Sequence, residues 1–196
     1  LKVFNERLGY DPLNPEVAEI ERHLASINQY DYFKTEYQKR FHKPWEKGRE
    51  AFFLNQHEMA EIYADIKSIS VDDANRFINT TIDNYRLDIE GFGEMVAKYI
   101  NSKQNGYRFV FCVDEVGQFI AENIASMLSL QTIAETLSTK TNGQSFLIVT
   151  SQNDLNATVG EMNKQQRHDF SRIQGRFAIK LPLTSANADE VIQKRL

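Results

Sequence analysis

The chain has 196 residues, of which 41% are hydrophobic and 26% charged, a composition typical of a folded globular protein and not of a disordered one. Its net charge of −4 excludes a basic surface spread over the whole chain, of the kind that binds nucleic acid. It contains one cysteine, which excludes an internal disulfide, and it has no run of about 18 apolar residues that could span a membrane. Because we also find no signal peptide, we predict a cytoplasmic protein without a membrane partner.

Residues 1–104 are predicted to be mainly helical. Asn14 is a predicted N-cap, followed by Pro15 at the first helical position. Ser70 is a second predicted helix start, with two acids in the first turn of the helix that follows it. Aromatic residues recur every four positions within 30–41, and residues 89–103 have the composition of a further helix. We interpret this region as a helical insertion or interaction region.

A different pattern begins at Asn105-Gly106. Short apolar runs at 107–113, 145–150 and 177–181 have the composition of strands buried on both faces, with helices predicted at 121–140, 164–174 and from Ser185 onward. A helix, an Asn-Gly pair and an apolar strand follow one another twice, which predicts an α/β fold with a mostly parallel sheet. Three strands are too few to complete such a sheet, so we expect the chain to be a fragment of a larger protein.

Two adjacent acids, Asp114 and Glu115, follow the first apolar strand. In an open parallel sheet ligands bind beyond the carboxyl ends of the strands, and a carboxylate placed there can hold Mg²⁺ directly or through water. The second carboxylate can polarise an attacking water. The alternative interpretation is a strand whose solvated end happens to be acidic.

Polar, uncharged residues follow the second strand at positions 150–153, namely Thr150, Ser151, Gln152 and Asn153. If the two strands are adjacent and parallel, these side chains lie beside the acids, where Ser151, Gln152 or Asn153 can orient a water or contact a γ-phosphate. The alternative is a polar strand end followed by a helix cap.

Two arginines, Arg172 and Arg176, lie four residues apart just before the third predicted strand. A guanidinium in this position can reach the nucleotide of a neighbouring subunit and stabilise the charge on a transferring phosphoryl group. The alternative is a solvated basic helix end.

The order of these features resembles the second half of an AAA+-type P-loop ATPase core, over residues 105–196. In this resemblance Asp114 and Glu115 match Walker B, Thr150 to Asn153 match the sensor 1 region, and Arg176 or Arg172 matches the arginine finger. The chain is more closely similar to the large P-loop ATPase of BREX phage-resistance systems, through the stretches at 114–120, 130–133, 148–152, 170–177 and 185–192.

The resemblance implies a bacterial phage-defence ATPase that uses ATP and Mg²⁺ and forms a homo-oligomer. Its other partners would be defence-system proteins, with DNA involved only indirectly. Residues 105–184 would form the Walker B to arginine-finger half of the core, and residues 185–196 would begin a helical lid.

One departure from the family concerns phosphate binding. No glycine in the chain is followed by lysine, so the Walker A sequence Gly-x-x-x-x-Gly-Lys-Ser/Thr is absent. Without its backbone amides and lysine, most contacts to the β- and γ-phosphates are missing. We therefore expect the fragment alone to be inactive.

Two alternatives stay open at this point. The first is a non-catalytic interaction module, in which aromatic residues at 30–53, interleaved with lysines, dock a partner or stack on bases. The second is a nuclease that uses Asp114 and Glu115 with a metal, although no third acid or nearby lysine is evident.

Overall fold

The computed structural model describes residues 1–116 and 124–150, together with Ile179 and Leu181. The chain divides into two compact units, Leu1–Arg86 and Leu87–Leu196. The sequence placed the boundary later, after residue 104. The helix at Ile89–Asn101 belongs with the second unit because it packs against the helix at Ile124–Lys140.

The first unit consists of helices joined by short turns. They are α1 (Lys2–Leu8), α2 (Pro15–Ser26), α3 (Tyr30–Phe41), α4 (Trp45–Gly48), α5 (Gln56–Lys67) and α6 (Val71–Asn84), with a 3₁₀ turn at Arg49–Ala51. The predicted start signals are confirmed: Pro15 is the first residue of α2, and the Ser70 hydroxyl accepts the Asp73 N–H at 3.1 Å.

The aromatic residues of the first unit form its core. The rings of Phe33 and Tyr37 each meet the indole of Trp45 edge-on with centroids 5.0 Å apart, and Phe52 meets it at 6.3 Å. All four side chains are buried, whereas Tyr32 and Phe53 are about half exposed. Two of the lysines interleaved with them pair with acids, Lys34 with Asp31 and Lys39 with Glu36. This arrangement supports a packed core and not an aromatic surface for nucleic-acid bases.

A buried carboxylate, Glu21 on α2, joins four segments of this unit. It accepts hydrogen bonds from the Asp11 N–H, the Tyr30 hydroxyl at 2.8 Å and the Trp45 Nε1–H at 2.6 Å, and it lies 3.4 Å from the guanidinium of Arg49. Burial raises the pKa of Glu21, and the hydrogen bonds and the Arg49 charge offset this only in part.

The second unit holds α7 (Ile89–Asn101), β1 (Phe109–Val113), α8 (Ile124–Lys140) and β2 (Ser145–Val149). The two strands pair in parallel, in a register that matches Phe109 with Ser145 and Val113 with Val149. The parallel arrangement and the two Asn-Gly turns agree with the sequence, since Gly106 and Gly143 both have positive φ. The described part of the chain is thus mainly helical, with a two-stranded parallel sheet.

The prediction that both strands are buried on both faces is wrong. Phe109 and Phe111 contact aromatic rings of α7, but Val110 on the other face is 47% exposed. Phe146 and Ile148 of β2 share that open face and are 48% and 53% exposed. An apolar run by itself does not report how many faces of a sheet its neighbours cover.

The predicted third strand at 177–181 is described only in part. Ile179 and Leu181 are not in a strand, and both are exposed. The other residues of that run lie outside the described residues, as do the predicted helices at 164–174 and from Ser185. Within the described ranges, no helix is long and apolar enough to cross a membrane.

Helices α7 and α8 approach closely at Gly93. A Cβ built at this position would lie 2.6 Å from Cγ2 of Thr136 and 3.1 Å from Cγ of Lys140. The Lys140 ammonium bridges the two helices through Glu90 at 2.9 Å and Glu94 at 2.8 Å, and these hydrogen bonds raise the pKa of Lys140. The two helices can therefore approach this closely only because residue 93 has no side chain.

We predict that Gly93→Ala lowers the free energy of unfolding by about 1–3 kcal/mol, because the methyl group overpacks the contact between the helices. Adding Thr136→Ser removes the nearest carbon atom and should restore part of that loss. The control is Gly91→Ala on the same helix, where the nearest atom is a side-chain oxygen of Asp88 at 3.2 Å and no atom of α8 lies within 4 Å among the three nearest. Urea denaturation measures all of them, and equal stability of the two alanine variants would contradict the prediction.

We also predict that Glu21 makes the stability of the first unit depend on pH. Because its pKa is higher in the folded state than in the unfolded one, the folded chain binds more protons in the range between them. The free energy of unfolding should therefore fall as the pH rises from about 4.5 through the folded-state pKa. Glu21→Gln should remove this fall, as urea denaturation across that range will test. Glu6→Gln, which replaces an exposed carboxylate, should leave the pH dependence of the free energy of unfolding unchanged.

Candidate functional site

The backbone of Thr150 joins the ends of the two strands. It directly follows β2, and its N–H donates to the carbonyl of Val113 at 3.0 Å. Its carbonyl accepts the N–H of Val116 at 3.0 Å. These two bonds hold the chain that leaves β1 against the end of β2, so residues 114 and 115 lie at the carboxyl edge of the sheet.

The Thr150 side chain contacts both acids at this edge. Its hydroxyl donates a hydrogen bond to Oδ1 of Asp114 and accepts one from the backbone N–H of Glu115 at 3.1 Å. All three residues are exposed to solvent. The sequence predicted that polar residues after the second strand lie beside the acids after the first, and Thr150 does so.

Glu115 has an unusual backbone conformation for a residue at the end of a strand. Its φ is +55°, in the left-handed region that costs a residue with a Cβ about 1–2 kcal/mol. The other non-glycine residues with positive φ in the described ranges all follow the ends of helices, where this conformation is a common cap. They are Asn28, His42, Ser68 and Asn142.

Backbone strain of this kind is often found at functional sites, where surrounding contacts hold it in place. Here the positive φ of Glu115 is held in place by the hydrogen bonds that the N–H groups of Glu115 and Val116 donate to Thr150. β1 ends at Val113, and the turn at residue 115 changes the direction of the chain where the two carboxylates lie.

The chemistry of this edge suits Mg²⁺. The side chains that meet there offer carboxylate and hydroxyl oxygens, the ligands that hard cations prefer. Among the residues the structure describes, no group of three or more His, Cys, Asp or Glu side chains could hold a metal by itself. A cation at Asp114 would therefore take most of its ligands from water or from a bound phosphate, as Mg²⁺ usually does.

The structure brings together three of the residues that the sequence singled out, Asp114, Glu115 and Thr150. The other predicted site residues, namely Ser151, Gln152, Asn153, Arg172 and Arg176, lie outside the described residues. Their roles as sensor and arginine finger stay predictions.

Sequence reasoning missed two features of the site. It grouped Thr150 with residues that contact the nucleotide and did not foresee that its hydroxyl bonds back to Asp114. It also treated Glu115 as the end of a regular strand. Glutamate carries no preference for positive φ, so no local signal could have located the turn.

No protein-family model matches the sequence of this chain, and no solved structure matches it either. The likeness to a P-loop ATPase therefore rests on the motifs in the sequence.

We predict that Glu115→Gly and Glu115→Val differ in stability because of the positive φ. Glycine adopts this conformation without strain, so the glycine variant should stay within about 1 kcal/mol of the wild type. Valine should lose about 1–3 kcal/mol, because a β-branched side chain is strained there. Urea denaturation of the full chain measures both.

The matched control is the same pair of substitutions at Cys112, an exposed position inside β1. There the order should reverse, because valine favours extended strand and glycine weakens it. If valine is tolerated better than glycine at both positions, the left-handed turn at Glu115 is contradicted.

Proposed function

We propose that this chain is part of a Mg²⁺-dependent P-loop ATPase with an AAA+-like core, which acts in a bacterial phage-defence assembly of the BREX type. The observation that supports the proposal is the pair of acids at the carboxyl edge of β1, joined to Thr150 at the end of the adjacent parallel strand. Nucleotide-binding sheets place metal-binding carboxylates at this edge.

In this proposal the two acids have separate roles. Asp114 holds Mg²⁺, directly or through a water molecule, and Glu115 orients and polarises the water that attacks the γ-phosphate. When bound, Mg²⁺ would neutralise charge on the phosphate oxygens. The exposure of both acids leaves room for the phosphates and the attacking water.

Other residues of this chain and of the complete protein would supply the rest of the site. Ser151, Gln152 or Asn153 would sense the γ-phosphate, and Arg176 or Arg172 would reach the nucleotide of a neighbouring subunit, which implies a homo-oligomer. The phosphate-binding loop with its lysine is absent from this sequence and would belong to another part of the complete protein. The fragment alone is therefore not expected to hydrolyse ATP.

We predict that Glu115→Gln in the complete protein lowers the rate of ATP hydrolysis by about 100-fold or more, because the amide cannot accept a proton from the attacking water. ATP binding should be retained, since this residue is not assigned to the phosphates. Steady-state turnover and equilibrium ATP binding measure the two effects. The control is Glu50→Gln, an exposed glutamate of the first unit that should leave both unchanged. Unchanged turnover in the Glu115 variant would contradict its role.

The alternative function is a non-catalytic module in which the helical unit docks a partner. It is favoured by a helical unit with a core of its own that leaves Leu54 88% exposed next to the half-exposed Phe53. The Glu115→Gln variant separates the two functions. A variant that lacks hydrolysis but still supports phage defence in cells would favour the interaction module.

A further inference from the structure

We propose that Thr150 is a positioning residue for the two acids and does not contact the nucleotide itself. This inference rests on the proposed function, because it assigns Thr150 a role toward the metal that Asp114 would hold. It differs from the sequence interpretation, which placed Thr150 in the sensor 1 region, among the residues that bind the nucleotide.

The Thr150 side chain can donate only one hydrogen bond. A threonine hydroxyl has one O–H to donate and two lone pairs to accept with. In the structure the O–H is donated to Oδ1 of Asp114, and one lone pair accepts the N–H of Glu115. The hydroxyl cannot also donate to a phosphate oxygen unless it releases Asp114.

The Thr150 hydroxyl contacts the two acids in different ways. Toward Asp114 it orients the carboxylate, whose other oxygen stays free of this bond and can face a cation. Toward Glu115 it holds the backbone N–H of a residue in a strained conformation. Groups that hydrogen-bond to a metal ligand in this way orient it, and their loss usually weakens metal binding.

The backbone of Thr150 is held by hydrogen bonds that do not involve its side chain. Its N–H and carbonyl bond to Val113 and Val116, each at 3.0 Å. A substitution that keeps the shape of the side chain should therefore leave the sheet paired and remove only the hydroxyl contacts. Valine makes that change, and serine keeps the hydroxyl while removing the methyl group.

The experiment titrates the full 196-residue chain with Mn²⁺ alone and follows paramagnetic broadening of its backbone amide signals by NMR. The variants are Thr150→Val, Thr150→Ser and Asp114→Asn. The matched control is Thr132→Val on α8, which makes the same substitution at an exposed threonine whose hydroxyl bonds to the Leu128 carbonyl at 2.9 Å.

We expect Mn²⁺ to broaden the amides around residue 114 in the wild type and not in Asp114→Asn. Thr150→Val should weaken this binding by about tenfold, and Thr150→Ser should stay within about twofold of the wild type. Thr132→Val should bind like the wild type. If Thr150→Val also binds like the wild type while Asp114→Asn does not bind, the positioning role is overturned and the metal role of Asp114 stands.

If Mn²⁺ affects the wild type and Asp114→Asn alike, the metal role of Asp114 in the proposed function is overturned. Hydrogen exchange of the Glu115 amide then decides the positioning role separately. Loss of its acceptor should speed this exchange by about fivefold in Thr150→Val and leave it unchanged in Thr150→Ser. Equal exchange in the wild type and in both variants would overturn the positioning role.

Discussion

The parallel pairing of β1 with β2, in one particular register, is the constraint on which the candidate site depends. Val113 is matched with Val149, so the next residues along each strand, Asp114 and Thr150, lie side by side at the edge of the sheet. A shift of one residue would pair each strand residue with a side chain that points to the opposite face. It would also separate the Thr150 hydroxyl from Asp114, and the site would not form.

Contacts at the opposite end of β2 help to hold this register. Helix α8 ends in a turn in which Asn142 and Gly143 both have positive φ, and the Gly143 N–H bonds back to Ser138 at 2.9 Å. The Thr141 hydroxyl then accepts the N–H of Ser145, the first residue of β2. Helix α8, which leads into this turn, packs closely against α7 at Gly93. The geometry of the site is thus supported by packing well away from it.

Glu21 in the helical unit and the two acids of the second unit have different surroundings, and this accords with different roles. In the helical unit Glu21 is buried and fully engaged by donors, an arrangement that stabilises a core and leaves the carboxylate inaccessible to a ligand. In the second unit Asp114 and Glu115 are exposed. Accessible carboxylates at the edge of a sheet can bind a ligand, whereas a buried carboxylate mainly connects elements of the fold.

Much of the secondary structure could be predicted from short stretches of sequence. The start of α2 at Pro15, the cap at Ser70 and the turn at Asn142-Gly143 depend on the chemistry of a few adjacent residues. The strand at 109–113 and the acids that follow it were predicted for the same reason. These features are encoded locally, and distant parts of the chain did not override them.

The sequence by itself determined the kinds of elements, their order, and the position of two acids after a strand. The tertiary structure decided which faces of the sheet are covered, the left-handed turn at Glu115 and the bond from Thr150 to Asp114. Each of these depends on residues far apart in the chain, as Asp114 and Thr150 are, and contacts at that separation exist only once the strands have paired.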